Sequence, residues 1–230
     1  MMCPEFTLQR GFGHVSLGRL RVYDWRKMTD EERAETLARR QSAHRPWHSV
    51  PHRFRVGHRR YIITGACYEH AEIVGFSDAR MDETADVLCE IGTAHGTRLY
   101  AWCVLPNHYH VVVDTDKVEG LLKLLALMHG RSSYRWNLEE RCAGRRVWCN
   151  DVEREIRSDA HLWASINYVH HNPVKHRYAK RWQEWPWSSA TRYLEGMGRE
   201  RAREIWEAYP VFGMGAGWDE DTGADGHAEA

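Results

Sequence analysis

No stretch of this chain is apolar for long enough to cross a bilayer, which takes about 20 residues as a helix, and its mean hydropathy is -0.65. The first residues, MMCPEF, lack the basic-then-apolar layout of a signal peptide. A cytoplasmic location is therefore expected. There is no internal repeat and no low-complexity tract, which excludes solenoids and fibrous classes. The six cysteines, Cys3, Cys67, Cys89, Cys103, Cys142 and Cys149, form no Cys-x-x-Cys pair. Cys67, Cys89 and Cys103 fall in apolar stretches, where buried free thiols are the expectation. Zinc held by Cys142 and Cys149 is the alternative, but their spacing is wrong for a standard finger.

Net charge is also lacking, since 32 Lys+Arg balance 32 Asp+Glu. The balance is uneven along the chain. Residues 1–60 carry 13 basic against 6 acidic side chains, and residues 118–203 carry 16 against 10. The intervening residues 61–117 carry 3 against 9, and residues 204–230 carry 0 against 7. A phosphate-binding face can exist without a basic pI, although ordinary solvated surfaces would give the same counts.

The length, 230 residues, fits one domain with appendages. Residues 1–60 are expected to be a basic N-terminal arm. A capping box at 29–32 opens a short helix with Ala34, Leu37 and Ala38 inward. The Pro-, His- and Arg-rich stretch 44–53 is either a linker or a basic-aromatic strip against DNA. The main domain is expected over 61–195, and 196–230 as a C-terminal helix and an acidic, disordered tail.

Residues 61–68 read as a first strand and 98–105 as a second. Between them Ser77-Asp78 starts a helix with Met81, Ala85 and Leu88 on one face, stopped near Gly96. Pro106-Asn107 turns the second strand into a third. Asp116 with Glu119 is expected to cap the next helix, whose stripe is Val118, Leu121, Leu122 and Leu125. That helix becomes polar and basic past His129, with Arg131 and Arg135 on one face. An interrupted fourth strand lies within 145–157, then a helix, and Ser188-Ser189 caps a last helix through Leu194. The order β-α-β-β-α-β-α predicts an α+β fold, a ferredoxin-like antiparallel sheet with packed helices.

Two segments carry chemistry. In the third strand His108 and His110 are two apart and share a face. Such a pair can bind one divalent cation, or can be two ordinary strand histidines. In the helix after 160, Leu162, Ile166 and Val169 form the apolar stripe. At 100° per residue Tyr168 lies about 120° off its centre, with Asn172 one turn on along the same face. Pro173 predicts that the helix ends near Asn172. The alternative is a surface tyrosine and a terminal asparagine.

His-Tyr-His with Tyr-x-x-x-Asn-Pro resembles the REP-associated tyrosine transposases, of the HUH single-tyrosine transposase superfamily. The resemblance rests on YIITGACYEH at 61–70, AWCVLPNHYHVVVDT at 101–115, HGRSSYRWN at 129–137, REIRS at 154–158, NYVHHNPVKHRY at 167–178 and WPWSSATRYL at 185–194. It implies the same fold. It implies that Tyr168 is a nucleophile forming a 5′-phosphotyrosine link to single-stranded DNA near short palindromic hairpins. It also implies that His108, His110 and Asn172 hold a metal.

That chemistry needs a nucleophile, neutralised phosphate charge and a stabilised leaving oxygen. Two neutral imidazoles and an amide oxygen suit Mg²⁺ or Mn²⁺ completed by phosphate. Lys175, Arg177, Lys180 and Arg181 follow the helix and, with Arg131 and Arg135, are candidate DNA contacts. The three tryptophans at 182–187 either plug the core or stack bases. Two other functions stay open: a domesticated hairpin-DNA-binding protein without cleavage, and a hydrolytic metal nuclease in which water attacks. Relatives include monomers and homodimers, and the sequence does not decide between them.

Overall fold

In the computed structural model the described residues are 57–93 and 97–211, with the single positions 29, 31, 35 and 38. The stretch 44–53, expected as a linker or a basic-aromatic strip, and the expected acidic tail from 213 lie outside them, as does most of the expected N-terminal helix. Ala38, expected inward, is exposed.

The four strands are β1 (Arg59–Ala66), β2 (Arg98–Leu105), β3 (His108–Thr115) and β4 (Val152–Ile156). Every neighbouring pair is antiparallel, in the order β2-β3-β1-β4. Helix α1 (Asp78–Thr93) links β1 to β2, and α2 (Val118–Glu139) links β3 to β4. This is the split β-α-β-β-α-β arrangement expected of an α+β ferredoxin-like fold. Helices α3 (Asp159–Lys175), α4 (Ala190–Met197) and α5 (Arg199–Ala208) follow.

Alternation explains the layering. Tyr109 points from β3 toward α2, where its hydroxyl meets His129. His108 points the opposite way, toward Asn172 on α3. Helices α1 and α2 thus cover one face of the sheet and α3 the other. The stripe Val118, Leu121, Leu122 and Leu125 is buried, as are Leu162, Ile166 and Val169.

The α1–α2 layer is clamped by Arg80, only 4% exposed. It donates to the Ile73 carbonyl, to Glu140 at 2.8 Å and to Glu139 at 2.8 Å. Its guanidinium also lies 4.5 Å from the Phe76 ring centroid and 5.0 Å from that of Trp136. A buried charge is tolerable only when paired in this way.

Sequence expectations fail locally where tertiary contacts win. The first strand begins at Arg59 and ends at Ala66, not Tyr68. Helix α2 is not capped by Asp116. Lys117 is its N-cap, with no side-chain cap, while Glu119 pairs with Lys123 at 2.9 Å. The fourth strand is interrupted as expected: Trp148 bridges to Cys67 before β4 begins. Of the expected capping pair Ser188-Ser189, Ser188 accepts from the Ala190 N–H at 3.2 Å, whereas Ser189 makes no side-chain bond to α4. Its hydroxyl accepts from the Trp102 N–H at 2.9 Å and lies 2.8 Å from His170 Nε2.

The tryptophan block covers the outer edge of β2. Val104 N–H donates to the Trp187 carbonyl, and Trp185 Nε1 donates to the Val104 carbonyl at 2.8 Å. An uncovered edge strand would be an aggregation template. Trp185 is buried, whereas Trp182 and Trp187 are half-buried. Trp182 lies over His170 and Trp187 Nε1 donates to Asp82. These contacts favour packing over base stacking for this block. Of the described cysteines, Cys67, Cys103 and Cys142 are buried, and Cys89 and Cys149 are partly exposed. Among the described residues no helix is long and apolar enough to cross a membrane.

Candidate active site

Two neighbouring elements meet at the site. The two-residue turn Pro106-Asn107 joins β2 to β3 and pairs Leu105 with His108. The period of two then sets His108 and His110 side by side, ring centroids 5.0 Å apart. Both are fully buried, at 1% and 0% exposure.

Helix α3 crosses above them. Its N-terminus is capped by Ser158, whose hydroxyl accepts from the His161 N–H. Its C-terminus departs from expectation, since it runs through Pro173 to Lys175 rather than ending near Asn172. The penalty at a residue before proline is overridden because Asn172 and Pro173 are both buried. The Asn172 carbonyl also accepts from His176 N–H, and the Pro173 carbonyl from Tyr178 N–H. Tyr168 departs too. It lies off the apolar stripe but is only 2% exposed, because α3 is buried on this flank as well. Its ring sits 5.2 Å from that of His110, nearly edge-on.

The hydrogen bonds fix what the histidines present. Asn107 Nδ2 donates to the His70 carbonyl at 3.1 Å, so its Oδ1 is an acceptor. That oxygen lies 2.7 Å from His108 Nδ1, which must carry the proton. Burial, with the neighbouring imidazoles of His110, His176 and His70, holds the His108 pKa well below 6.5. The ring is therefore neutral and its Nε2 is a lone pair. Yet Nε2 lies 3.1 Å from Asn172 Oδ1, another acceptor. Two acceptors face each other until a cation enters or the amide turns over. Asn172 Nδ2, also buried, makes no hydrogen bond in this orientation. His110 Nδ1 lies 2.8 Å from the Thr64 hydroxyl on the paired strand β1. Such a contact orients a ligating imidazole.

Among the described residues no three His, Cys, Asp or Glu side chains form a metal-binding group. The third donor here is an amide oxygen. Two imidazoles and an amide could hold a divalent ion with positions left for substrate. Cys142 and Cys149 likewise form no metal cluster with a third such residue.

The basic candidates divide. The Lys175 ammonium lies 5.2 Å from the Tyr168 ring centroid, at the site itself. Arg177, Lys180 and Arg181 are exposed just beyond α3, and Arg181 is paired with Glu184. Arg131 and Arg135 are on α2, across the sheet. Arg131 is exposed, whereas Arg135 is paired with Glu83 and Glu139.

Other tyrosines are engaged elsewhere. Tyr178 donates to Glu72 at 2.9 Å, and burial with that carboxylate raises its pKa. Tyr109 donates to Asp151 at 2.7 Å, and burial with that carboxylate raises its pKa too. The supporting groups Thr64 and Asn107 were not singled out from sequence. Asn107 was legible only as a turn residue, and Thr64 becomes relevant only once the β1–β3 register is known.

No family model matches the chain. A curated protein of Haemophilus influenzae (strain ATCC 51907 / DSM 11121 / KW20 / Rd), named "Putative REP-associated tyrosine transposase", is 26% identical over 104 residues. The match covers 39% of this chain and 56% of the relative, so the chain spans little more than half that protein's length. A solved structure of a REP-associated tyrosine transposase bound to a REP hairpin overlaps 77% of this chain and 92% of its own, at 18% identity and a TM-score of 0.49. In its sequence motifs and in its curated relative alike, this chain is similar to the REP-associated tyrosine transposases.

Proposed function

We propose that this chain is a divalent-metal-dependent endonuclease and strand transferase for single-stranded DNA at palindromic hairpins, with Tyr168 as the nucleophile. One observation carries the reading. His108 Nε2 and the Asn172 side-chain amide come within 3.1 Å of each other, while the Tyr168 ring packs 5.2 Å from that of His110, so the three groups converge. The kinship to a transposase-class relative supports it.

His108, His110 and Asn172 would hold Mg²⁺ or Mn²⁺. When bound, the ion polarises the phosphoryl oxygen and stabilises the leaving oxygen. The chain's own groups do the rest. The Tyr168 oxygen bonds to phosphorus, and its phenolic proton passes through solvent to the departing 3′ oxygen. The bond from phosphorus to the 3′ oxygen breaks, and that oxygen ends as a hydroxyl. The 5′-phosphotyrosine link keeps the phosphodiester energy, so the reverse attack by a 3′-hydroxyl rejoins strands without a nucleotide cofactor. Lys175 sets positive charge beside the phenol and the incoming phosphate. Arg177 and Lys180 extend that charge along the strand. Arg135 and Arg181 contribute less, since their charges are met by carboxylates.

The test is a cleavage assay on single-stranded hairpins with detection of a denaturant-resistant adduct. The parent protein forms the adduct on Tyr168 and loses it in excess EDTA. Tyr168→Phe folds and binds hairpin DNA but forms no adduct. Cleavage without an adduct would put water in place of the phenol and favour the hydrolytic reading. Binding without cleavage would favour a domesticated DNA-binding protein.

A further inference from the structure

Helix α2 is apolar on two opposite sides. Val118, Leu125 and Trp136 face the sheet and are buried. At 100° per residue Leu127, Tyr134 and Leu138 project about 180° away from them. These three are 48%, 75% and 67% exposed. Helix α1 flanks α2, with Glu83 paired to Arg135, and leaves this second stripe open. A helix laid on one face of a sheet needs a single apolar stripe. Large apolar side chains grouped on the outer side mark a further contact.

The spacing of the outer stripe points to what covers it. Leu127, Arg131, Tyr134 and Leu138 recur at intervals of four, three and four residues, the seam of a coiled coil. Arg131 is exposed with the rest, and among the described residues neither it nor Tyr134 has a side-chain hydrogen bond or ion pair. The seam is its own complement. With a second α2 antiparallel across it, and a two-fold axis between Ser132 and Ser133, Leu127 of each copy meets Leu138 of the other. Arg131 of each copy then meets Tyr134 of the other, a guanidinium on an aromatic face. One patch serves both copies, as a two-fold interface requires. A slip of one heptad sets Arg131 against Leu127 or against Arg141 instead, so the single cation on the seam fixes the register. The seam is about 17 Å long. That is short of a standard interface, so the pair comes apart on dilution.

We propose that the outer face of α2 is a homodimer interface, on which two copies of this chain pair antiparallel through Leu127, Arg131, Tyr134 and Leu138. The inference does not rest on the nuclease reading. Helices α2 and α3 cover opposite faces of the sheet, so both candidate active sites lie on the outside of the dimer, each complete within one chain. Arg131 is then taken up by a tyrosine rather than by DNA. The leucines at both ends of the seam offer nothing to a phosphate and favour a protein occupant.

The experiment is sedimentation velocity on the full chain, from about 1 to about 100 μM. The expected mass rises with concentration from one chain toward two. Leu127→Glu and Leu138→Lys each set a charge against a leucine and weaken association by about tenfold or more. Both positions are on the surface, so the Tm of each variant stays at the parent value. Mixed in equal amounts, the two variants pair again, because the new carboxylate at 127 meets the new ammonium at 138 while native leucines close the other end. Misfolding, or an interface elsewhere, would not produce that recovery. A parent that stays monomeric throughout, a dimer indifferent to both substitutions, or a mixture that stays monomeric would each overturn the inference. Tyr134→Ala, which changes no charge, weakens the dimer by about tenfold and leaves hairpin-DNA binding as it was. Lost DNA binding with the dimer intact would assign the stripe to nucleic acid and overturn the inference as stated.

Discussion

Replacing Gly65 by alanine tests how the two faces of the sheet are tied together. Gly65 pairs with Tyr109 across β1 and β3, and the tyrosine ring lies over it. An added Cβ would stand 2.3 Å from Tyr109 Cζ, 2.4 Å from Cε1 and 2.5 Å from the hydroxyl oxygen. Ordinary carbon contacts are about 3.5–4.0 Å, so the ring must retreat by more than about 1 Å. It has nowhere to go, being fully buried against His129 and Trp148. Overpacking of this kind costs about 1–3 kcal/mol. If the hydroxyl leaves Asp151, the unsatisfied group adds about 1–3 kcal/mol. Gly65→Ala should therefore destabilise by about 2–6 kcal/mol, seen as a lower urea midpoint with an unchanged slope. A double-mutant cycle isolates the cause. In a Tyr109→Ala background the same substitution should cost almost nothing, giving a coupling of at least about 2 kcal/mol. An effect of Gly65→Ala below about 0.5 kcal/mol, or an equal cost in both backgrounds, would refute the reasoning.

Arg80→Met should cost about 1–3 kcal/mol, because it removes the buried arginine's hydrogen bonds to Glu139, Glu140 and the Ile73 carbonyl while Glu140 keeps Arg145; a loss under about 0.5 kcal/mol in urea unfolding would count against the clamp. Stability should fall in mild acid. His129 and His170 are held at about 3 by burial, against 6.5 in the unfolded chain. Their contribution is complete above about 6.5 and is lost as pH falls toward 3, because the unfolded chain then binds the extra protons. At pH 5 these two groups alone remove about 4 kcal/mol, and a urea midpoint flat from pH 7.5 to 5 would contradict their burial. Hairpin binding should weaken with salt by about 0.7 in log–log slope for each neutralised phosphate. Lys180→Ala should reduce that slope by about one such step, and a parent slope near zero would exclude phosphate contacts.

The hairpin that presents the histidines was legible because two signals agreed: apolar runs over 98–105 and from His108, and Pro106-Asn107 at the turn between them. The shared face of Tyr168 and Asn172 was legible from helical periodicity alone. What the sequence hid was decided by contacts between distant segments. Pro173 stays inside α3 because Asn172 and its neighbours are buried, which no local rule reports. Tyr168 is buried although it is off the stripe, because α3 is packed on more than one flank. Thr64 meets His110 only through the β1–β3 register. Gly65 could have signalled a close approach, as an isolated strand glycine does, but nothing in the sequence named Tyr109 as the partner. The Asp151 network joins three segments far apart in the chain and left no pattern to find.

Helix α3 is pinned on its far side as firmly as at the site. His170 meets Ser189, which is bonded to the Trp102 backbone of β2, while Asn167 donates to the carbonyls of Ile205 and Tyr209. The helix that carries the phenol is thereby bonded to β2, the neighbour of the strand that carries both imidazoles. Under the proposed chemistry a strand joined to Tyr168 hangs from a fixed post. Trading one strand end for another then becomes a problem of how DNA threads past that post, and its pace should follow the length and stiffness of the DNA flanks more than any motion of the protein.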